Sequence, residues 1–256
     1  MTARLETLGL TLRAGGKRLV EDLTIGFEPG QNWAVLGANG SGKTTLLHAL
    51  AGLRDADRGE VRLDGVDIRQ LPSRRRAQQL GILFQDTPLP FPATTFETVL
   101  GGRHPHLGFW QHEGPADLEA ATAALAAVGL ADLAGRVVTT LSGGERRRLE
   151  LATLLTQDPA LCLLDEPVNH LDPHYQMLLL RLVCARAQRP GHLNIIVLHD
   201  VNLAVRFCSH GLLLCGDGRT RHGPLDAILD AGVLESVYGC PMREVHIDTG
   251  RLFLPL

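Results

Sequence analysis

The sequence predicts an α/β fold: a mostly parallel sheet, an N-terminal antiparallel β hairpin and an inserted α-helical subdomain. Three observations carry this. Four unbroken apolar runs, Trp33–Leu36, Gly81–Phe84, Leu161–Leu164 and Ile195–Leu198, are separated by helix-like segments. Such runs mark parallel strands buried on both faces. A Gly-rich turn, Gly37-Ala38-Asn39-Gly40-Ser41-Gly42-Lys43-Thr44, follows the first run. Residues 4–27 alternate as strands about Ala14-Gly15-Gly16, with Leu23, Ile25 and Phe27 to one side.

The remaining elements follow in order. Pro29-Gly30 turns the hairpin into the first buried strand. Thr45–Ala51 reads as a helix, with Leu46, Leu50 and Leu53 on one face. Glu60–Leu63 and Val66–Ile68 are short strands about Asp64-Gly65, and Gly81–Phe84 ends at Gln85. Residues 86–92 hold three prolines and read as an irregular loop. From about 94 to 157 the chain turns helical and Ala-rich, notably over Ala116–Val128 and Gly143–Thr156. The sheet resumes with Leu161–Leu164, a helix over 173–189, Ile195–Leu198 and Leu212–Cys215. Asp226–Leu229 and Gly232–Tyr238 read as short helices, and Arg243–Asp248 with Arg251–Leu254 as a closing hairpin about Thr249-Gly250. The organisation expected is one domain over 1–256, with an α/β core of 1–85 and 159–256 and a helical lobe of 86–158.

Composition fits this. With 256 residues, 45% of them hydrophobic, the chain can bury a large core. Its net charge of −3 gives no reason to expect nucleic acid as a partner. Arg74-Arg75-Arg76 and Arg146-Arg147-Arg148 read as solvated helix faces. The five cysteines, 162, 184, 208, 215 and 240, form no Cys-x-x-Cys pair and read as reduced and mostly buried. No signal peptide and no apolar run long enough to span a membrane is visible, so action on a membrane would need a spanning partner.

The Gly-rich turn fits Gly-x4-Gly-Lys-[Ser/Thr], the phosphate loop of a P-loop nucleoside triphosphatase (NTPase) core. Gly37, Gly40 and Gly42 let the backbone curl so that its N–H groups face an anion. Asn39, Ser41 and Thr45 complete the cradle around Ala38. Lys43 would reach the β- and γ-phosphates, and the Thr44 hydroxyl would bind Mg²⁺. Ligands of such sheets bind beyond the carboxyl ends of the strands. The polar residues there, Gln85, Asp165, Glu166 and His199, should therefore converge on the loop. Asp165 would hold Mg²⁺, Glu166 would act as general base on the attacking water, and His199 would hold the γ-phosphate and that water in line. Gln85 offers an amide oxygen to the metal or the water.

Leu141-Ser142-Gly143-Gly144-Glu145 adds a second anion site. Ser142 is a good N-cap, and two glycines leave the first N–H groups of the helix open. One phosphate cradle and a separate anion-binding helix end suggest two copies docked head to tail. Each nucleotide would then lie between the phosphate loop of one copy and Ser142-Gly143-Gly144 of the other.

In order along the chain, Gly37–Thr44, Gln85, Leu141–Glu145, Leu161–Glu166, Asn169-His170-Leu171-Asp172 and His199 resemble the motifs of ABC transporter ATP-binding subunits. The resemblance implies ATP and Mg²⁺ as ligands, closure of a homodimer on ATP, and reopening after hydrolysis. Asp172 would be the aspartate that crosses the dimer interface. It also implies a peripheral place on the cytoplasmic face of the inner membrane, two transmembrane permease subunits docked near Gln85 and residues 86–112, and indirectly an extracytoplasmic binding protein. Gly102-Arg103-His104-Pro105-His106, Val197–Ala204 and Val237-Tyr238-Gly239 are similar to the iron-siderophore, haem and cobalamin importers. Overall similarity favours cobalamin or a related corrinoid as cargo, with ferric siderophore or haem as the alternative.

Two positions depart from the pattern. Residues 10–20 lack the aromatic that stacks on adenine in this family; Ala14 stands about there, and an arginine such as Arg13 could stack instead. Thr153 stands where the family often has arginine. Three other readings compete. A soluble, non-transport ABC ATPase would be expected to carry two fused cassettes, long coiled coils or a zinc insertion. A P-loop kinase or GTPase has no use for Ser142-Gly143-Gly144. A transition-metal cluster of His104, His106 and His112 lacks a Cys or carboxylate at close spacing.

Overall fold

A computed structural model describes residues 5–85, 92–248 and 250–256. The elements run β1 (Leu5–Ala14), β2 (Lys17–Phe27), β3 (Asn32–Gly37), α1 (Lys43–Leu50), β4 (Arg58–Leu63), β5 (Val66–Asp67), α2 (Ser73–Gln79) and β6 (Leu80–Leu83). Next come α3 (Thr95–Leu100), a 3-10 turn Gly101–His106, α4 (Pro115–Ala127) and α5 (Gly143–Gln157). The chain closes with β7 (Leu161–Asp165), α6 (Pro173–Arg186), β8 (Leu193–Val197), α7 (Val201–Phe207), β9 (His210–Leu214), β10 (Thr220–Pro224), α8 (Leu225–Ile228), α9 (Ala231–Tyr238), β11 (Met242–Ile247) and β12 (Gly250–Pro255).

The main sheet has the order β10-β9-β3-β8-β7-β6, and only the edge strand β10 runs antiparallel to its neighbour. Alternate residues of its strands face two cores, as period-2 geometry requires. Trp33, Val35, Leu161, Leu163, Ile195 and Val197 pack towards α1 and the second sheet, ordered β2-β1-β4-β5. Ala34, Leu36, Cys162, Leu164 and Ile196 pack towards α5, α6 and the other helices. Burial on both faces explains why these runs have no polar alternation. The helices between Thr95 and Gln157 lie in sequence between the neighbouring strands β6 and β7.

Several readings change. Leu53 lies beyond the end of α1 and is half exposed, because the helix stops at Leu50 and the chain turns at Gly52. The helix α2 and the edge strand β10 carry no clear sequence signal, because each is short and presents a mostly polar surface. The loop expected over 86–92 falls almost wholly outside the described residues, as does Thr249 of the last turn.

The second arginine triplet is not a solvated face. Arg147 and Arg148 are each only 8% exposed. The helix α5 is sandwiched between the sheet and the other helices, so these side chains bond to backbone carbonyls. Arg148 donates to Val128 O and Gly129 O and stacks on Tyr175, its carbon Cζ 3.9 Å from the ring centre. Arg74 and Arg75 are exposed, as expected. All five cysteines are free; Cys162 and Cys208 are buried and the other three are half-buried.

Candidate functional site

The phosphate loop is shaped by close contacts that only glycine allows. At Gly37 (φ +147°) an added Cβ would lie 2.7 Å from Ser41 Oγ and 2.8 Å from Leu214 O. At Gly42 (φ +104°) it would lie 2.8 Å from the Cβ of Leu19 in β2. The antiparallel hairpin is thus packed directly onto the loop. Gly42 also caps α1, and the N–H groups of Lys43, Thr44 and Thr45 open its first turn. Lys43 Nζ donates to Gly37 O (2.8 Å) and Ala38 O (3.1 Å).

The strand ends do converge. A cleft of about 540 Å³ is lined by Asn39, Gly40, Gly42, Lys43, Thr44 and Thr45 of the loop and by Gln85, Glu166 and His199. These residues follow β3, β6, β7 and β8, which are neighbours or near neighbours in one parallel sheet. Ala14, Lys17 and Leu19 of the hairpin form the remaining wall. Among the described residues no Phe, Tyr or Trp lines the cleft, and Lys17 stands at that wall rather than Arg13, whose backbone N–H is bonded to Asp57.

Glu166 is 7% exposed, and its two carboxylate oxygens contact the imidazole Nε2 of His199 and the amide of Asn169. Its φ of +49° lies in the left-handed region, which side-chain-bearing residues seldom adopt. Asn169 is a neighbour that the sequence reading placed in a turn without a role. Its place three residues after Glu166 in a tight turn was the available signal. Asp165 is fully buried, and neither carboxylate oxygen has a hydrogen-bond partner. Burial pushes its carboxyl up; the nearby Thr44 hydroxyl works against that, although its approach falls short of a full hydrogen bond, and the Glu166 charge adds to the rise. Burial pushes the Lys43 ammonium down, while Glu166 and then Asp165 pull it back up. An orphaned buried carboxylate beside a hydroxyl suits a hard divalent cation with oxygen ligands. Ser41 Oγ is a further buried oxygen without a partner.

The other expected site residues lie elsewhere. Ser142 caps α5 in a reciprocal box: the Glu145 N–H donates to Ser142 Oγ (3.3 Å), and the Ser142 N–H donates to Glu145 Oε2 (2.7 Å). The Glu145 carboxylate is thereby committed to its own helix end. Ser142 and Gly143 are exposed, and none of Ser142, Gly143, Gly144 and Glu145 lines the cleft. Asp172 caps α6 by accepting from the Tyr175 N–H (3.1 Å) and is exposed. A Cβ on Gly144 would lie 3.4 Å from Leu171, so the two helix ends form one surface.

Residues behind the resemblance to metal-chelate importers also find physical roles. Asn202 exchanges two hydrogen bonds with the backbone of Phe253, which ties the C-terminal hairpin to α7. Gly102 lets the 3-10 turn press on α5, where a Cβ would lie 2.4 Å from Thr153 O; the Thr153 hydroxyl bonds back to Leu149 O within the helix. His106 Nε2 bonds with Gln157 O (2.8 Å) on that same helix.

A phosphate loop at the head of a parallel sheet, with carboxylates at the next strand ends, defines a P-loop nucleoside triphosphatase. Residues 20–169 match the ABC transporter family. Among the relatives, the ferric enterobactin transport ATP-binding protein FepC of Escherichia coli is 38% identical over 99% of this chain and 94% of its own. The hemin import ATP-binding protein HmuV of Myxococcus xanthus is 39% identical over 94% of this chain and 92% of its own. Its counterpart in Pseudomonas entomophila is 40% identical over 92% of each. A solved metal-chelate type ABC transporter in an inward-facing conformation superposes with a TM-score of 0.84 and 28% identity, covering 100% of this chain and 98% of that one. The chain belongs to the ABC transporter family and is an ATP-binding subunit of the ATPase type. Among the described residues, no helix is long and apolar enough to cross a membrane.

Proposed function

We propose that this chain hydrolyses ATP to power a membrane importer for a ferric siderophore or haem. The observation that supports it most is the meeting of Lys43, Gln85, Glu166 and His199 around one cleft, while Ser142-Gly143-Gly144 present a second helix end outside it. The relatives named for ferric enterobactin and hemin favour this cargo over cobalamin, the sequence reading's first choice.

The phosphate chain of ATP lies along the N–H groups of residues 37–45, with the Lys43 ammonium at the β- and γ-phosphates. Thr44, Gln85 and Asp165 would hold Mg²⁺, which would supply neutralising charge at those phosphates. Glu166 accepts a proton from the attacking water, and His199 and Asn169 hold its carboxylate in place. The nucleotide completes its shell from a second copy, docked head to tail, through Ser142-Gly143-Gly144 and Asp172. Two permease subunits dock beside Gln85 and residues 86–112, which places the chain at the cytoplasmic face of the membrane. An extracytoplasmic binding protein delivers the cargo.

Glu166→Gln tests this reading. The variant should bind Mg-ATP, accumulate as a closed dimer on size-exclusion chromatography, and turn over about 100-fold or more slowly, as expected for loss of a general base. Turnover at the wild-type rate would remove Glu166 from that role.

A further inference from the structure

Arg147 is a buried cation that the nucleotide cleft does not use. It projects from the second turn of α5, the helix whose N-terminus carries Ser142-Gly143-Gly144. A guanidinium has five N–H donors in a rigid fork, and all of them find acceptors. Nε donates to Pro167 O (3.2 Å). Nη1 donates to Phe84 O (2.6 Å) and to Glu150 Oε2 (2.7 Å). Nη2 donates to Asp165 O and to Glu166 O (2.8 Å). Apart from the Glu150 carboxylate, every acceptor is a backbone carbonyl at the end of β6 or β7. Phe84 immediately precedes Gln85. Asp165, Glu166 and Pro167 are the backbone from which the two carboxylates project.

We infer that Arg147 is a positioning residue for hydrolysis, locking α5 to the backbone that aims Gln85 and Glu166. This rests on Glu166 acting as the base. The argument is geometric. Glu166 sits at φ +49°, a conformation that persists only when its surroundings hold it. Its carbonyl and those on either side are all held by this one side chain. Without the guanidinium, four carbonyls lose a donor and the Glu166 backbone can relax towards a commoner φ. The carboxylate would then swing away from the line of attack, while the phosphate loop, built by β3 and α1, stays in place. Lysine cannot substitute, because an ammonium has three donors and no planar fork.

The test uses the full chain in its transporter complex, with Arg147→Lys, Arg147→Gln and Glu166→Gln measured in parallel. Arg147→Lys keeps the charge facing Glu150 and is the variant least prone to unfold. Steady-state ATPase assays, binding of a fluorescent ATP analogue and thermal melts are recorded for each. The expected result is a fall in kcat of tenfold or more for both Arg147 variants, with KM for ATP within threefold of wild type and the Lys variant melting within a few degrees of it. A stable Lys variant with kcat within twofold of wild type overturns the inference. So does a parallel loss of kcat, nucleotide affinity and melting temperature, which would mark a merely structural cation. If Glu166→Gln itself turns over normally, the reading of Glu166 as base fails, whatever the Arg147 variants do.

Discussion

The contact between the hairpin and the phosphate loop yields a prediction that the structure makes quantitative. In Gly42→Ala the new Cβ would lie 2.8 Å from Leu19 Cβ and 3.0 Å from Leu19 Cδ1. Leu19 is 5% exposed and cannot swing into solvent. Overpacking of this kind costs about 1–3 kcal/mol. The backbone at φ 104°, ψ 16° adds about 1–2 kcal/mol for a residue with a side chain. The variant should therefore lose about 2–5 kcal/mol, a large part of the stability of a typical domain. Leu19→Ala alone should cost about 2–5 kcal/mol through the cavity it leaves. Combined, the two changes should cost about 1–3 kcal/mol less than their sum, because truncating Leu19 removes the clash but not the backbone strain. Urea unfolding of the four proteins measures this coupling, and ATP titration should show part of the lost affinity return in the double variant. Additivity within about 0.5 kcal/mol would refute the claim that Leu19 sets the position of Gly42.

Three further outcomes follow from the site and the core. Ser142→Arg should retain nucleotide binding and abolish hydrolysis, because the other copy supplies the missing side; normal hydrolysis would exclude head-to-tail docking. With Ala14, Lys17 and Leu19 as the hairpin wall of the cleft among the described residues, competition binding should show ATP preferred to GTP by less than about tenfold, or about 1.4 kcal/mol. A larger preference would mean that another group reads the base. Burial alone would raise the Asp158 carboxyl, but Arg189 and Arg186 bring it down to about 2. A carboxyl depressed on folding contributes stability above its unfolded value of 3.8 and loses it as pH falls towards 2. The full shift is worth about 2 kcal/mol; with the side chain 41% exposed, about 1 kcal/mol remains after screening. Asp158→Asn should lower the melting temperature by about 2–4 °C at pH 7, and the gap should narrow between pH 4 and pH 2. A gap that stays constant with pH would detach the effect from ionisation.

Much of the site could be read in the one-dimensional chain because its parts obey local rules. The phosphate loop needs glycines at fixed spacing before a helix. The parallel sheet needs unbroken apolar runs, and its geometry sends the residues after each run to one rim. Lys43, Gln85, Glu166 and His199 are expected at one rim on this ground, and all four line one cleft. Ser142 was legible as an N-cap for the same reason, since that contact is local, whereas the reciprocal bond of Glu145 to the Ser142 N–H appears only in the structure. What the sequence left blank depends on partners distant in the chain. Arg146-Arg147-Arg148 looks like any charged helix face until α5 is packed beneath the ends of β6 and β7. Only then does Arg147 meet the carbonyls of residues 84 and 165–167, and Arg148 those of residues 128 and 129. Leu19 against Gly42 and Gly102 against Thr153 are likewise approaches between elements far apart in sequence. The sequence alone determined the kind of fold, the phosphate loop and which polar residues follow the strand ends, because period and spacing are properties of neighbouring residues. The tertiary structure decided which arginines are buried, which hairpin residues wall the cleft and which carbonyls Arg147 meets. Those answers come from packing, where a donor's partner is set by which surfaces meet.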